Sequence, residues 1–263
     1  MDGKIVVVTG ASSGIGKVTA LEFASRGATT ILACRDLAKA GQVRDDICTR
    51  SGNNAVSVVH LELRDLRSVA RCAKEVIDRT PRVDVLINNA GGIWTQREAT
   101  PQGFEQTFGV NYLSHYALTR LLLGHLRRAA GARIINVSSS GHRMVKGICW
   151  EDLGLERRYT SVHAYGQSKL AQILFTRELA RRYGDAGVTA HAVHPGVVRT
   201  NFYVGTGRPW ISNSHSLNRL SLSREVTSSF ICGEIFNISA NSSTPSNKCS
   251  ALSNTSKAFF SCR

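Results

Sequence analysis

A chain of 263 residues, 42% of them hydrophobic, is long enough to bury one full α/β core and does not require two domains. Its formal charge of +14 favours anionic partners, yet the pairs Arg127-Arg128, Arg157-Arg158 and Arg181-Arg182 are scattered over helix ends and loops, a solvated basic surface without a nucleic-acid motif. Seven widely spaced cysteines lacking any Cys-x-x-Cys, and eight unclustered histidines, argue for reduced intracellular thiols and against a disulfide frame or metal site.

The first β-rich run is Ile5–Thr9, and a helix is expected over 15–26. Between them lies Gly10-Ala11-Ser12-Ser13-Gly14-Ile15-Gly16. A glycine-rich turn in that setting is where a dinucleotide binds, here with Gly-x-x-x-Gly-x-Gly spacing. Gly10 permits the tight turn, Gly14 lets backbone approach a pyrophosphate, and Gly16 lets helix lie close on strand. Ser12, Ser13 and Ile15 belong to the same cradle, and the helix N-terminus faces the phosphate charge. The second strand, Thr29–Ala33, runs into Cys34-Arg35-Asp36. A carboxylate at the Cys34 position would select NAD, whereas a cysteine followed by Arg35 favours the 2′-phosphate of NADP. Lys39 adds charge there, and the other reading makes Asp36 the ribose ligand.

Further strands are expected at Ala55–Leu61, Val83–Asn88, Arg133–Val137 and Val188–Val193, with helices near 36–50, 66–79, 104–129 and 162–184. Asp36 and Asp65 are placed to cap two of these helices. Apolar strands alternating with helices give a doubly wound parallel α/β sheet with helices on both faces, a Rossmann fold, whose ligand lies where strand order reverses. His191 and His194, three apart in and just beyond the last predicted strand, point to opposite faces and make a poor ligand pair. In the last helix, Tyr165 and Lys169 share a face at i, i+4. A phenol ordinarily titrates near pH ~10, so a neighbouring ammonium that favours phenolate would bring it toward neutral chemistry. Alone, the pair could be a surface tyrosine and lysine; Ser139 could merely cap a turn, and Asn111 could end a helical turn.

Together these segments resemble the short-chain dehydrogenase/reductases, and more narrowly the retinol-dehydrogenase type, over residues 3–203. The residues that carry the resemblance are Thr9-Gly10-x-x-x-Gly14-Ile15-Gly16, Leu32-Ala33-Cys34-Arg35-Asp36, Leu86-Ile87-Asn88-Asn89-Ala90-Gly91 and Gly109-Val110-Asn111-Tyr112-Leu113. With them stand Asn136-Val137-Ser138-Ser139, Tyr165-Gly166-Gln167-Ser168-Lys169 and His194-Pro195-Gly196-Val197-Val198-Arg199-Thr200. The resemblance implies a tetrad. Asn111 would hold a relay water, and Ser139 would bind the substrate oxygen together with Tyr165. Tyr165 would be the general acid/base, and Lys169 would position the ribose and tune the tyrosine. It also implies cofactor contacts at Asn89, Ala90 and Gly91, and at Pro195, Gly196, Val198 and Thr200. Glu62-Leu63 stands where the family usually has Asp-Leu, whose carboxylate meets the adenine amine; with the longer acid and the Leu63 backbone contact unaffected, a modest loss of affinity is expected.

The implied function is NADP(H)-dependent hydride transfer to or from a small hydrophobic alcohol or carbonyl, with retinol/retinal first. Residues 1–205 would form the catalytic domain. Residues 206–263 would form a Ser/Asn-rich, poorly ordered tail: 15 serines and 6 asparagines fall within 208–263. That tail does not resemble the family's usual continuation. The alternative is therefore a truncated, catalytically weak dinucleotide-binding protein with an interaction or regulatory role. No apolar run reaches bilayer length and residues 1–9 form no signal peptide, so a cytoplasmic location, or one peripheral to an organelle membrane, is expected. The long helices 104–129 and 162–184 are candidates for homodimer pairing.

Overall fold

The computed structural model describes residues 1–196. Six strands form one sheet: β1 (Ile5–Thr9), β2 (Thr29–Cys34), β3 (Val56–His60), β4 (Val85–Asn88), β5 (Ala132–Val137) and β6 (Val188–Val193). All pairings are parallel and the order is β3-β2-β1-β4-β5-β6. The order reverses between β1 and β4. Crevices at such a reversal are where α/β sheets hold ligands.

The strands are β-branched and apolar because both of their faces are covered; every residue of β1 and β4 is buried. Alternate residues feed two separate cores. Val6, Val8, Leu32, Val85, Ile87 and Ile135 pack with Phe23 of α1 (Gly14–Ser25) and Ile47 of α2 (Leu37–Ser51). Val7, Ile31, Leu86 and Ile134 pack on the other face. There they meet Val76 of α3 (Leu66–Arg79), Leu122 of α5 (Ser114–Arg127) and Phe175 of α6 (Ser161–Tyr183). The sheet is thus the middle of three layers. Asp36 and Asp65 cap α2 and α3, accepting from the Lys39 and Arg67 N–H groups at 3.0 Å each.

One expected element differs. The helix read over 104–129 is broken into a short α4 (Gln106–Phe108), a π-helical turn (Gly109–Leu113) and α5. The Glu105 carboxylate starts it by accepting from the Thr107 and Phe108 N–H groups, at 2.7 Å each. The Asn111 side chain grips the chain outside the helix: its oxygen accepts from Gly92 N and its amide donates to Gly92 O, each at 2.9 Å. One inserted residue hardly disturbs an apolar period over so long a segment, so the pattern conceals it. Such turns are frequently found at functional sites.

Val198 and Thr200 lie outside the described residues, as do the end of the 1–205 unit and the whole 206–263 tail. Among the described residues, no helix is long and apolar enough to cross a membrane.

Candidate active site

A cleft of 980 Å³ opens at the reversal, over the carboxyl ends of β1, β4 and β5. Its floor on one side is the glycine turn. Gly10 adopts φ +67°, and Gly14 φ +54°, conformations that side-chain-bearing residues rarely tolerate. A Cβ on Gly10 would lie 2.9 Å from Ala90 Cα, and one on Gly16 would lie 2.6 Å from Asn89 Nδ2. Gly16 itself is buried beneath the cleft, while Gly10, Ser12, Ser13, Gly14 and Ile15 line it. Ser13 stands at the N-cap of α1 without making a side-chain capping bond. Asn89 ties the turn to β4, since its amide donates to Thr9 O at 2.9 Å.

The far end of this half is the rim formed by Arg35, Lys39, Glu62, Leu63 and Arg64. The Arg35 side chain is 73% exposed and faces Glu62 across 3.9 Å. Cys34 is buried at the end of β2, and burial raises its thiol pKa against opposing hydrogen bonds from Ala11 and Ser12. Asp36 spends its carboxylate on the α2 cap.

Ser139, Tyr165 and Lys169 line the other half of the cleft, together with Pro195 and Gly196. Ser139 caps the 3-10 turn Ser140–Met144: its oxygen accepts from Gly141 N at 3.1 Å. A hydroxyl used as acceptor in this way keeps its hydrogen for donation into the cleft. A single point over Gly141 lies 2.9 Å from the Tyr165 ring edge and 3.4 Å from Ser139 Oγ. Ring and hydroxyl thus both border the space that a side chain at Gly141 would occupy.

Lys169 is buried behind the tyrosine, with Nζ 5.5 Å from the ring centroid. It donates to Val137 O at 2.8 Å and to Gln172 Oε1 at 3.0 Å. Burial pushes its pKa down to about 7. Asn111 does not line the cleft; it is fully buried in the π turn, with its amide also donating to Ser168 Oγ at 3.1 Å.

Residues 4–207 match the family model for short chain dehydrogenases. The chain belongs to that family, as a retinol-dehydrogenase-like member. Human retinol dehydrogenase 13 is 48% identical over 206 residues, covering 78% of this chain and 62% of that protein. The short-chain dehydrogenase described here therefore spans less than two thirds of the length of this curated relative. An uncharacterized protein from Mycobacterium paratuberculosis superposes with TM-score 0.69 at 38% identity, over 93% of this chain and 78% of that one. A short chain dehydrogenase from Shigella flexneri 2a, complexed with NADP, superposes with TM-score 0.64 at 26% identity, over 80% and 84% of the two chains.

Several residues of this dehydrogenase's site escape a reading of the sequence. His115 donates from Nδ1 to Asn111 O at 3.0 Å, so its Nε2 is left to accept from the Thr9 hydroxyl, also at 3.0 Å. The Thr9 oxygen in turn accepts from Asn89 N and Ala90 N, at 2.9 and 3.0 Å. One ring thus joins the glycine turn to the π turn. Burial drives the His115 pKa down to about 4; the Asn111 carbonyl opposes this and the Lys169 charge adds to it. Gln172 is equally buried, and its only sequence signal is its place one helical turn beyond Lys169. Finally, Ile93, Trp94, Met144 and Val162 make the outer wall apolar.

Proposed function

We propose that this protein is an NADP(H)-dependent oxidoreductase acting on a hydrophobic alcohol or carbonyl, with retinol and retinal as the first substrate class. The observation that carries the reading is that Ser139 Oγ and the Tyr165 ring border one space over Gly141 in the cleft, with Lys169 Nζ 5.5 Å from the ring centroid. When bound, the nicotinamide supplies or takes up the hydride. The protein's own groups do the rest. Ser139 donates to the substrate oxygen, Tyr165 gives or takes the proton on that oxygen, and Lys169 holds positive charge beside the ring.

The cradle fits a dinucleotide. Added Cβ atoms at Gly10 and Gly16 would collide with Ala90 and Asn89 and force the turn out of shape, and the N-terminus of α1, without a side-chain cap, suits a pyrophosphate. Arg35 and Lys39 at the rim, with a cysteine instead of a carboxylate closing β2, support the 2′-phosphate form. The NADP held by the Shigella structure points the same way. The apolar outer wall, with Met144 half exposed, supports a greasy substrate, as does the name of the human relative.

The test is a fluorescence titration of the full chain with NADPH and NADH, followed by turnover on retinol, retinal and long-chain alcohols and aldehydes. Tighter binding of NADPH and NADPH-linked reduction of retinal are expected. Intact NADPH binding without turnover on any of the panel would overturn the redox reading.

A further inference from the structure

We propose that Gln172 is a positioning residue of this active site, a carboxamide strut that fixes the Lys169 ammonium against the π turn. The proposal rests on the oxidoreductase reading above and assigns a role within the same site. Its basis is a continuous set of contacts. Gln172 Oε1 accepts from Lys169 Nζ at 3.0 Å, and Gln172 Nε2 donates to Asn111 O at 2.8 Å. All three residues are buried: Asn111, Gln172 and Lys169 are 0%, 1% and 3% exposed.

The neighbours leave little else to do this work. The Asn111 carbonyl accepts from both the His115 ring and the Gln172 amide, which occupies its two lone pairs. The Asn111 side chain is engaged with Gly92 and Ser168. Gln172 therefore bridges the Asn111 carbonyl and the Lys169 ammonium directly. Among the described residues, the ammonium has on the strand side the Val137 carbonyl alone. An amide suits the place because it offers an acceptor to the cation and a donor to the carbonyl from one planar group. It is also anchored at its root. The Gln172 carbonyl accepts from Thr176 Oγ1 at 2.7 Å, and Asn136 of β5 donates to that same hydroxyl at 2.9 Å. A leucine or methionine of similar volume would fill the space and hold neither partner.

The test is Gln172→Met in the full chain, read by steady-state kinetics with NADPH and retinal and by amide hydrogen exchange without nucleotide. Two lost hydrogen bonds to such partners should lower kcat about tenfold with the retinal KM within about twofold. Exchange across the π turn should quicken about tenfold, with β1 and β5 unchanged. Gln172→Glu keeps the acceptor for Lys169 and removes the donor to Asn111. It should quicken the π turn equally, and it carries the test if the methionine variant folds poorly. A kcat within about twofold of the parent, or unaltered exchange in the π turn, overturns the proposal. Should the parent lack turnover on every substrate, the oxidoreductase reading falls by itself, and exchange in the π turn still upholds or overturns the Gln172 strut.

Discussion

The two halves of the cleft are built by opposite means. The half over β1 and β2 is shaped by backbone, where Gly10, Gly14 and Gly16 act by what they lack. The half over β4 and β5 is shaped by buried polar side chains. Asn88, Asn111, Asn136, Gln172 and Lys169 are all nearly inaccessible, and they hold one another in register. Backbone cradles an invariant, charged shape such as a pyrophosphate, whereas directional side chains position a proton donor. His115 spans the two, bonded to Thr9 on one side and Asn111 on the other.

If the halves are separable, the largest effect should fall on one alone. Tyr165→Phe should lower kcat by about a hundredfold to ten-thousandfold while the NADPH titration stays as in the parent. A matching loss of NADPH affinity would break the division. The link between the halves is exposed by acid. His115 has its pKa depressed to about 4 in the folded chain against an ordinary 6.5. Below 6.5 the unfolded chain takes up a proton that the fold refuses, so stability falls as pH drops from 6.5 toward 4. The loss amounts to about 3 kcal/mol across that window. Thermal unfolding from pH 7 to 4 should show this slope, and His115→Gln should flatten it. An unchanged slope would remove the histidine from the account.

On the cradle side, Gly16→Ala puts a Cβ 2.6 Å from Asn89 Nδ2 and 2.9 Å from the Gly10 carbonyl carbon. The overpacking strain is about 1–3 kcal/mol, and relieving it by shifting the glycine turn should weaken NADPH binding. Retinal turnover at saturating NADPH should be little altered, which sharpens the contrast with Tyr165→Phe. The smallest effect is at the rim. Arg35→Ala should weaken NADPH about tenfold and leave NADH unmoved, as measured by paired titrations. Equal losses for both would make Arg35 a general electrostatic contact.

The two halves also differed in how far the sequence revealed them. The strand pattern, the Gly10–Gly16 turn and the capping aspartates were all readable, because each is a local signal with a local cause. Tyr165 and Lys169 were readable as a helical pair, with their setting supplied by family resemblance. The π turn was not, since Gly109–Leu113 keeps the apolar spacing of the helix it interrupts. Nor were His115 and Gln172, whose partners Thr9 and Asn111 lie 106 and 61 positions away in the chain. A polar residue on a helix looks solvent-facing until the fold shows which layer it enters. The strand Val83–Asn88 begins instead at Val85, because Asp84 turns its carboxylate to the Ile5 N–H at 2.9 Å.

Asn88 and Asn136 lie side by side on adjacent parallel strands, with Asn88 Nδ2 bonded to Asn136 Oδ1 at 2.8 Å and to Thr119 at 3.0 Å. Asn136 reaches on to Thr176 at 2.9 Å, so the run links α5 to α6 along the face of β4 and β5 that both helices cover. Sliding β5 by one residue would turn Asn136 toward the opposite layer and cost its buried amide both the Asn88 and the Thr176 bond. A misaligned sheet is penalised during assembly, before any substrate is met, and the chain arrives at its working arrangement already proofread.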